Sequence, residues 1–211
     1  MLIGHQKPQQ RANMTREAAD IALLACVLNG DESGLAALLD RHWTSLVRYS
    51  RSILDDRDAA EDVVQEVFVR LWEHRKTWGL EGSVLGLLFR MTRNLSLDES
   101  RQLETRQRAA KNAQRPKQPS CPAQSIQDNE IGSAIQAALE KLPERRREVF
   151  VLVRQHGLSY REAADALDIA PQTIANHLQM ALADLRESLV PHNPDRANEA
   201  YVRYAGGTVG L

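Results

Sequence analysis

The stretch SYREAADALDIAPQTIANHLQMALADLRESL, Ser159–Leu189, decides the fold. Ser159-Tyr160-Arg161-Glu162 reads as a capping box: the serine closes the first turn of a helix and Glu162 reaches back to it. Ala163, Ala164 and Leu167 follow at helical spacing, and the small alanines leave room for a second helix to approach. Asp168-Ile169-Ala170 is a short turn, with Ile169 placed to plug the corner. Pro171 opens the next helix, where its fixed φ and missing N–H are tolerated. Ile174, Leu178, Ala181, Leu182 and Leu185 form one apolar stripe.

Two helices joined in this way form a helix-turn-helix. The outer, N-terminal face of the second helix carries Gln172, Thr173, Ala175, Asn176 and Gln179, with His177 at its edge. That part of a recognition helix reaches bases in the major groove. Asn and Gln can pair bidentately with adenine, and Ala and Thr can pack on the thymine methyl. Arg154 and Arg161 lie near enough in sequence to touch phosphates, which position without specifying. A plain three-helix packing module with a polar outer face would carry the same stripe. The cap, the turn and the stripe in one window favour DNA.

Upstream of this stretch, Pro143 stands at a first helical position with Glu144 in the first turn. Val149, Phe150, Leu152 and Val153 give that helix an apolar face, and Gly157 is placed to end it in the left-handed conformation. Further back the chain also reads as helices. Asp20–Leu28 and Ser33–Leu39 flank the turn signal Asn29-Gly30-Asp31, and Leu46, Tyr49, Ile53 and Leu54 continue the pattern. Ala59–Trp72 is strongly amphipathic, with Val63, Val64, Val67, Phe68 and Leu71 on one side. Thr77–Ser83, holding Gly79 and Gly82, is a loop, and Val84–Leu97 resumes a helix.

The texture then changes. Leu103–Asp128 is rich in Gln, Arg, Lys, Ala and Ser and is broken by Pro116, Pro119 and Pro122, so it cannot bury a core. The sequence therefore predicts an all-α protein of two helical domains joined by a flexible basic linker. Residues 1–17 form an N-terminal extension, 18–102 the first domain, 103–128 the linker, 129–190 the second domain and 191–211 a tail.

The chain has 211 residues, 43% of them hydrophobic, and a net charge of −1. No apolar run approaches the roughly 18–20 residues needed to span a bilayer, and the N-terminus lacks the apolar core of a secretory signal. Cys26 and Cys121 match no metal-ligand spacing, and a reducing cytoplasm fits. No cofactor or metal is expected. The near-zero net charge hides segregation. Asp55, Asp56, Asp58, Glu61, Asp62 and Glu66 cluster against the single base Arg57. Arg101, Arg106, Arg108, Lys111, Arg115 and Lys117 cluster against the single acid Glu104. One surface suits a basic partner and another suits phosphates.

Two stretches go beyond a generic helix-turn-helix. The first is DAAEDVVQEVFVRLWEHR, Asp58–Arg75, followed by LLFRMTRNLSLDESR, Leu87–Arg101. The second is LPERRREVFVLVRQHGLSYREAADALDIAPQTIANHLQMALADLR, Leu142–Arg186. Their order and separation resemble the extracytoplasmic-function (ECF) sigma factors of the sigma-70 family, the promoter-recognition subunits of bacterial RNA polymerase. The resemblance covers about Gly34 to Leu189. It implies that the acidic helix grips the β′ coiled coil of core polymerase through Asp62, Gln65 and Glu66, with Asp58 and Glu61 beside them. The core β subunit is a further implied partner.

It also implies that the loop and following helix read the −10 element through Trp78, Arg90, Arg93, Asn94, Asp98 and Arg101. There an unpaired base is captured from the non-template strand, and its pocket must recover an unstacking cost of a few kcal/mol. The second domain then reads the −35 element through Arg154, Arg161, Gln172, Thr173, Ala175, Asn176, His177 and Gln179. In the family the linker threads toward the RNA exit channel, and many members have an anti-sigma factor that covers the same surfaces. One departure stands out: Val84 and Leu87 occupy positions where the family often has Phe and Trp.

From the residues alone, the acidic helix is also compatible with a solvated face, and the linker with a solvated tether. A helix-turn-helix regulator that binds operators without polymerase, through an N-terminal sensing or dimerising domain, is the alternative function. An enzyme is disfavoured, because no Gly-rich phosphate loop, metal spacing or nucleophile motif is present. The six histidines are scattered. His42, His74 and His156 read as surface or helix-end residues, Trp72 as core, and Trp78 as undecided between core and DNA.

Overall fold

The computed structural model describes residues 8–77, 82–111 and 137–189. Within these residues every regular element is helical, as expected. The chain divides into two compact units. The first is built on α1 (Pro8–Leu28), α2 (Glu32–Leu54), α3 (Arg57–Glu73) and α4 (Val84–Lys111). The second holds a helical turn at 137–141, α5 (Glu144–Phe150) with a π-helical turn at Val151–Gln155, the start of α6 (Tyr160–Leu167) and α7 (Pro171–Leu189), with Ala164–Asp168 grouped with the first. The remainder of the expected linker, the tail after residue 189 and Trp78 lie outside the described residues.

Local chemistry starts the helices of the first unit. Asp31 Oδ1 accepts the Ser33 N–H at 2.9 Å and so caps α2. Asp56 caps α3 by accepting from the N–H groups of Asp58 and Ala59. Ser83 Oγ accepts from the Gly86 N–H at 3.2 Å at the head of α4. Each cap satisfies N–H groups that have no partner within the helix.

Helix α2 lies at the centre of this unit, against α1, α3 and α4. Leu38, Leu46 and Tyr49 of α2 are buried together with Val64, Val67, Phe68 and Leu71 of α3 and Leu88 and Phe89 of α4. Burying side chains of this size is worth about 1.5–3 kcal/mol each. The Tyr49 and Phe89 rings meet at 5.2 Å in a tilted arrangement. Gly34 sets the α1–α2 distance: a Cβ there would lie 2.7 Å from both Cys26 Cβ and the Leu23 carbonyl oxygen.

Several polar groups are buried in the same unit. Asp20 is 1% exposed and His42 4%. Asp20 Oδ2 lies 3.0 Å from His42 Nε2, and Arg41 Nη1 donates to Asp20 Oδ1 at 2.6 Å. Burial pushes the Asp20 carboxyl up, but the bonds and charges of His42 and Arg41 outweigh it and hold the group below its ordinary value. The expectation that His42 is a surface or helix-end residue is therefore corrected: its ring pins α2 to α1. His74 and His156 do stand at helix ends, after α3 and after the π-helical turn. The Ser50 and Ser96 hydroxyls share a buried 2.8 Å hydrogen bond between α2 and α4.

Two helices are longer than the sequence reading allowed. Helix α1 begins at Pro8, inside the expected 1–17 extension. Helix α4 runs on to Lys111, so residues 103–111 of the expected 103–128 linker are helical. Their compositions explain both, since Gln, Arg, Glu, Ala and Lys favour helix without needing an apolar face.

In the second unit the capping box forms in both directions. Ser159 N–H donates to Glu162 Oε2 at 2.6 Å, and Glu162 N–H donates to Ser159 Oγ at 3.2 Å. Gly157 has φ +69°, the left-handed conformation assigned to it. Pro143 sits one residue earlier than expected: its carbonyl accepts from the Arg146 and Arg147 N–H groups, so it caps α5 rather than opening it. Pro171 does open α7, whose first bonds run from the Thr173 and Ile174 N–H groups to the Ala170 carbonyl. Arg146 Nη1 donates to Asp184 Oδ2 at 2.6 Å and ties α5 to α7. Asp168, in the turn, adopts φ +54°. Ile169 is half-buried, so it fills that corner only in part.

Candidate protein- and nucleic-acid-binding faces

The first face lies on α3. Val63, Val64, Val67 and Leu71 point into the core, which turns Asp58, Asp62, Gln65 and Glu66 outward. Positions i, i+4, i+7 and i+8 share one side of a helix. Glu61 is half-buried and accepts from Arg57 at 2.8 Å, which holds the Arg57 guanidinium above its ordinary pKa. Glu66 accepts from Arg70 at 2.7 Å. Both pairs are local and open to solvent, so they are weak and yield to a better partner. Val69 lies on the same side, one turn beyond Gln65, and is 48% exposed. The sequence reading missed Val69, although the four-residue step from Gln65 points to it.

The second face lies on α4. Leu85, Leu88, Phe89, Thr92 and Ser96 are buried. The opposite side carries Arg90, Asn94, Asp98 and Arg101, all exposed, with Arg93 half-buried beside them. These four recur at i, i+4, i+8 and i+11, a straight run along the helix. Asp98 and Arg101 pair at 3.0 Å, so Arg101 is not a bare cation. Val84 is buried and Leu87 half-buried, so the two positions lacking family aromatics are mainly packing positions. Trp72 is half-buried rather than core, with the Arg75 guanidinium 4.3 Å above its ring. Arg75 also donates to the Trp72 carbonyl at 2.7 Å and braces the end of α3.

The third face lies on α7. Ile174, Leu178, Ala181 and Leu185 are buried and Leu182 is half-buried. Gln172, Asn176 and Gln179 are exposed, and Thr173, Ala175 and His177 are half-buried at the margins. Gln172 Nε2 donates to Asn176 Oδ1 at 3.2 Å. Arg161 is exposed on α6, next to Tyr160, which is 44% exposed and was not singled out from sequence. Arg154 is half-buried and belongs to the π-helical turn, so it is less open than its sequence position suggested.

Residues 38–106 match the family described as Sigma-70 region 2, and residues 133–185 match Sigma-70, region 4. The ECF RNA polymerase sigma factor SigL of Mycobacterium tuberculosis is 32% identical over 161 residues, covering 74% of this chain and 88% of that protein. SigE of Mycolicibacterium smegmatis, also an ECF RNA polymerase sigma factor, is 29% identical over 180 residues, covering 81% and 68%. Among solved structures, CnrH in complex with the cytosolic domain of CnrY has a TM-score of 0.60 at 26% identity, covering 83% of this chain and 99% of that one. In fold the chain is also similar to the sigma factor RpoE of Bartonella quintana, solved with the anti-sigma factor NepR, at TM-score 0.56 and 23% identity, covering 75% and 98%. The chain belongs to the ECF sigma factors of the sigma-70 family.

Proposed function

We propose that this chain binds RNA polymerase core and directs it to promoters, holding the −10 element on α4 and the −35 element on α7. The observation that carries this is the pairing of an acidic outward face on α3 with an uncharged amide face on α7 in one sigma-family chain. An acidic face repels DNA, so α3 suits a basic protein surface, the β′ coiled coil. Asp58, Asp62, Gln65 and Glu66 make that contact, with Glu61 and Val69 beside them. The β subunit is the second core contact.

On α4, Arg90, Arg93 and Arg101 hold phosphates, and Asn94 and Asp98 face the unpaired strand. Trp78 belongs to the same reader. On α7, Gln172, Thr173, Ala175, Asn176, His177 and Gln179 face base edges, while Arg154 and Arg161 grip the backbone. The chain contributes binding rather than chemistry, so it works as a non-enzymatic subunit in the cytoplasm, where polymerase acts. A regulatory anti-sigma factor is a further partner, supported by CnrH having been solved with a protein bound to it.

Run-off transcription with purified core polymerase and genomic promoter fragments tests the proposal. Discrete promoter-dependent transcripts should appear only when the chain is added. Absence of core binding, together with sequence-specific DNA binding by a homodimer of the chain alone, would replace this reading with that of an operator-binding regulator.

A further inference from the structure

An asparagine side chain on a recognition helix has an ambiguity that the helix itself does not remove. Its carbonyl oxygen and amino group are nearly the same size, and half a turn about the last bond exchanges them. The orientation that accepts from adenine N6 while donating to N7 is only one of the two. At Asn176 a neighbour is coupled to the choice: the Gln172 amide must turn over together with that of Asn176 if the bond between them is to be kept. Gln172 Nε2 donates to Asn176 Oδ1 at 3.2 Å, which places the oxygen on the N-terminal side of the amide. The oxygen keeps a second lone pair, and both Asn176 Nδ2 hydrogens stay free.

The backbone that carries Gln172 is well anchored. Gln172 follows Pro171, which fixes the backbone at the first helical position, and the Thr173 and Ile174 N–H groups both bond the Ala170 carbonyl. Both side chains are exposed on the outer face, one turn apart.

We propose that Gln172 is a positioning residue for Asn176: its amide holds the Asn176 amide in the adenine-reading orientation, so the two recognise one A·T pair of the −35 element as a unit. The proposal rests on the reading of α7 as the −35 helix. It differs from independent contacts by Gln172 and Asn176 to separate base pairs.

The test uses holoenzyme made from core polymerase and the full-length chain, and a duplex promoter library randomised across the −35 region. Wild type is compared with Gln172→Ala, Gln172→Glu, Asn176→Ala and the double variant Gln172→Ala/Asn176→Ala. Asn176→Ala identifies the base pair that Asn176 reads. At that same pair, Gln172→Ala should lower the preference for adenine about fivefold or more, with core binding unchanged. Gln172→Glu cannot donate. Its carboxylate accepts from Asn176 Nδ2, turns the amide over, and should move the preference away from adenine. Adding Gln172→Ala to Asn176→Ala should change nothing further at that pair.

If Gln172→Ala leaves that pair untouched and relaxes a different one, or if the two substitutions act additively, the positioning role is overturned while the −35 reading stands. If wild-type holoenzyme selects no sequence in the −35 region, the −35 reading fails and the pair with it.

Discussion

Helices α3 and α7 each bury an apolar stripe and turn the opposite side to solvent, yet they expose different chemistry. The outward side of α3 carries Asp58, Asp62 and Glu66, whereas that of α7 carries Gln172, Asn176 and Gln179. Charge acts at a distance, is weakly directional and is screened by salt. Amides act only in contact and only in the right orientation. The first suits capture of an abundant protein with a basic surface, and the second suits discrimination between base pairs. On the proposed reading, affinity and specificity are thereby separated between the two helices.

Reversing the charge on α3 is the strongest way to break this contrast. Asp62→Lys with Glu66→Lys should reduce affinity for core polymerase by about 4 kcal/mol, roughly a thousandfold, measured by fluorescence anisotropy at fixed ionic strength. Both side chains are exposed, so thermal stability should change by no more than about 0.5 kcal/mol. Unchanged core affinity would place the polymerase contact elsewhere.

The same residue type, moved indoors, gives the opposite outcome. Asp20 is buried against His42 and Arg41, and removing it strands a buried partner. Asp20→Ala should destabilise the first unit by about 3 kcal/mol in chemical denaturation, while leaving the α3 face chemically intact. The wild-type pH dependence has a definite sign. The folded carboxyl is held below its ordinary value of 3.8, so its stabilisation is fully present above that pH. It is lost as pH falls from about 4 through the lower folded value. Stability that stays flat on acidification from pH 5 to pH 2, or that is the same in Asp20→Ala, would remove the clasp from the account.

On α7 the expected loss is smaller and confined to sequence preference. Asn176→Ala should cost about 2 kcal/mol at one base pair of the −35 element and nothing in core binding. Core binding should weaken steeply with added salt, whereas discrimination at that base pair should be nearly salt-independent. An equal loss on every sequence would make Asn176 a backbone contact.

What could be read from the sequence follows the range of the interactions. The cap at Ser159 reaches only three residues, so its spacing alone announces it, while the equally short caps at Asp31 and Asp56 were passed over because they lay in what read as a turn signal and an acidic cluster. The outward face of α7 is visible because periodicity fixes what points away from a core, whereas the residues of the α3 and α4 faces were assigned through the family resemblance. The Asp20–His42 contact spans 22 residues and exists only once α1 crosses α2, so His42 looked like a surface histidine. Gly34 permits that crossing, and its role is likewise silent in a linear reading. The π-helical turn at Val151–Gln155 has no local signal, and it altered the standing of Arg154. The extent of α4 was underestimated because its last turns have helix-forming residues but no apolar face.

The smallest effect concerns how each face is aimed. The α3 face depends on one capped helix in a four-helix unit, but α7 is aimed by the turn Asp168–Ala170. Asp168 sits there at φ +54°, a conformation that asparagine, aspartate and above all glycine tolerate. Asp168→Gly removes the Cβ strain but adds freedom to the unfolded chain, so the net gain should stay below about 1 kcal/mol. Asp168→Ala keeps the Cβ and loses the polar side chain, and should destabilise by about 1 kcal/mol. Both are read by denaturant midpoint. If glycine at this position destabilises as much as alanine does, the turn is held by the aspartate side chain, which both variants lack, rather than by backbone sterics. The aim of the α7 face would then depend on a carboxylate, as the grip proposed for the α3 face does.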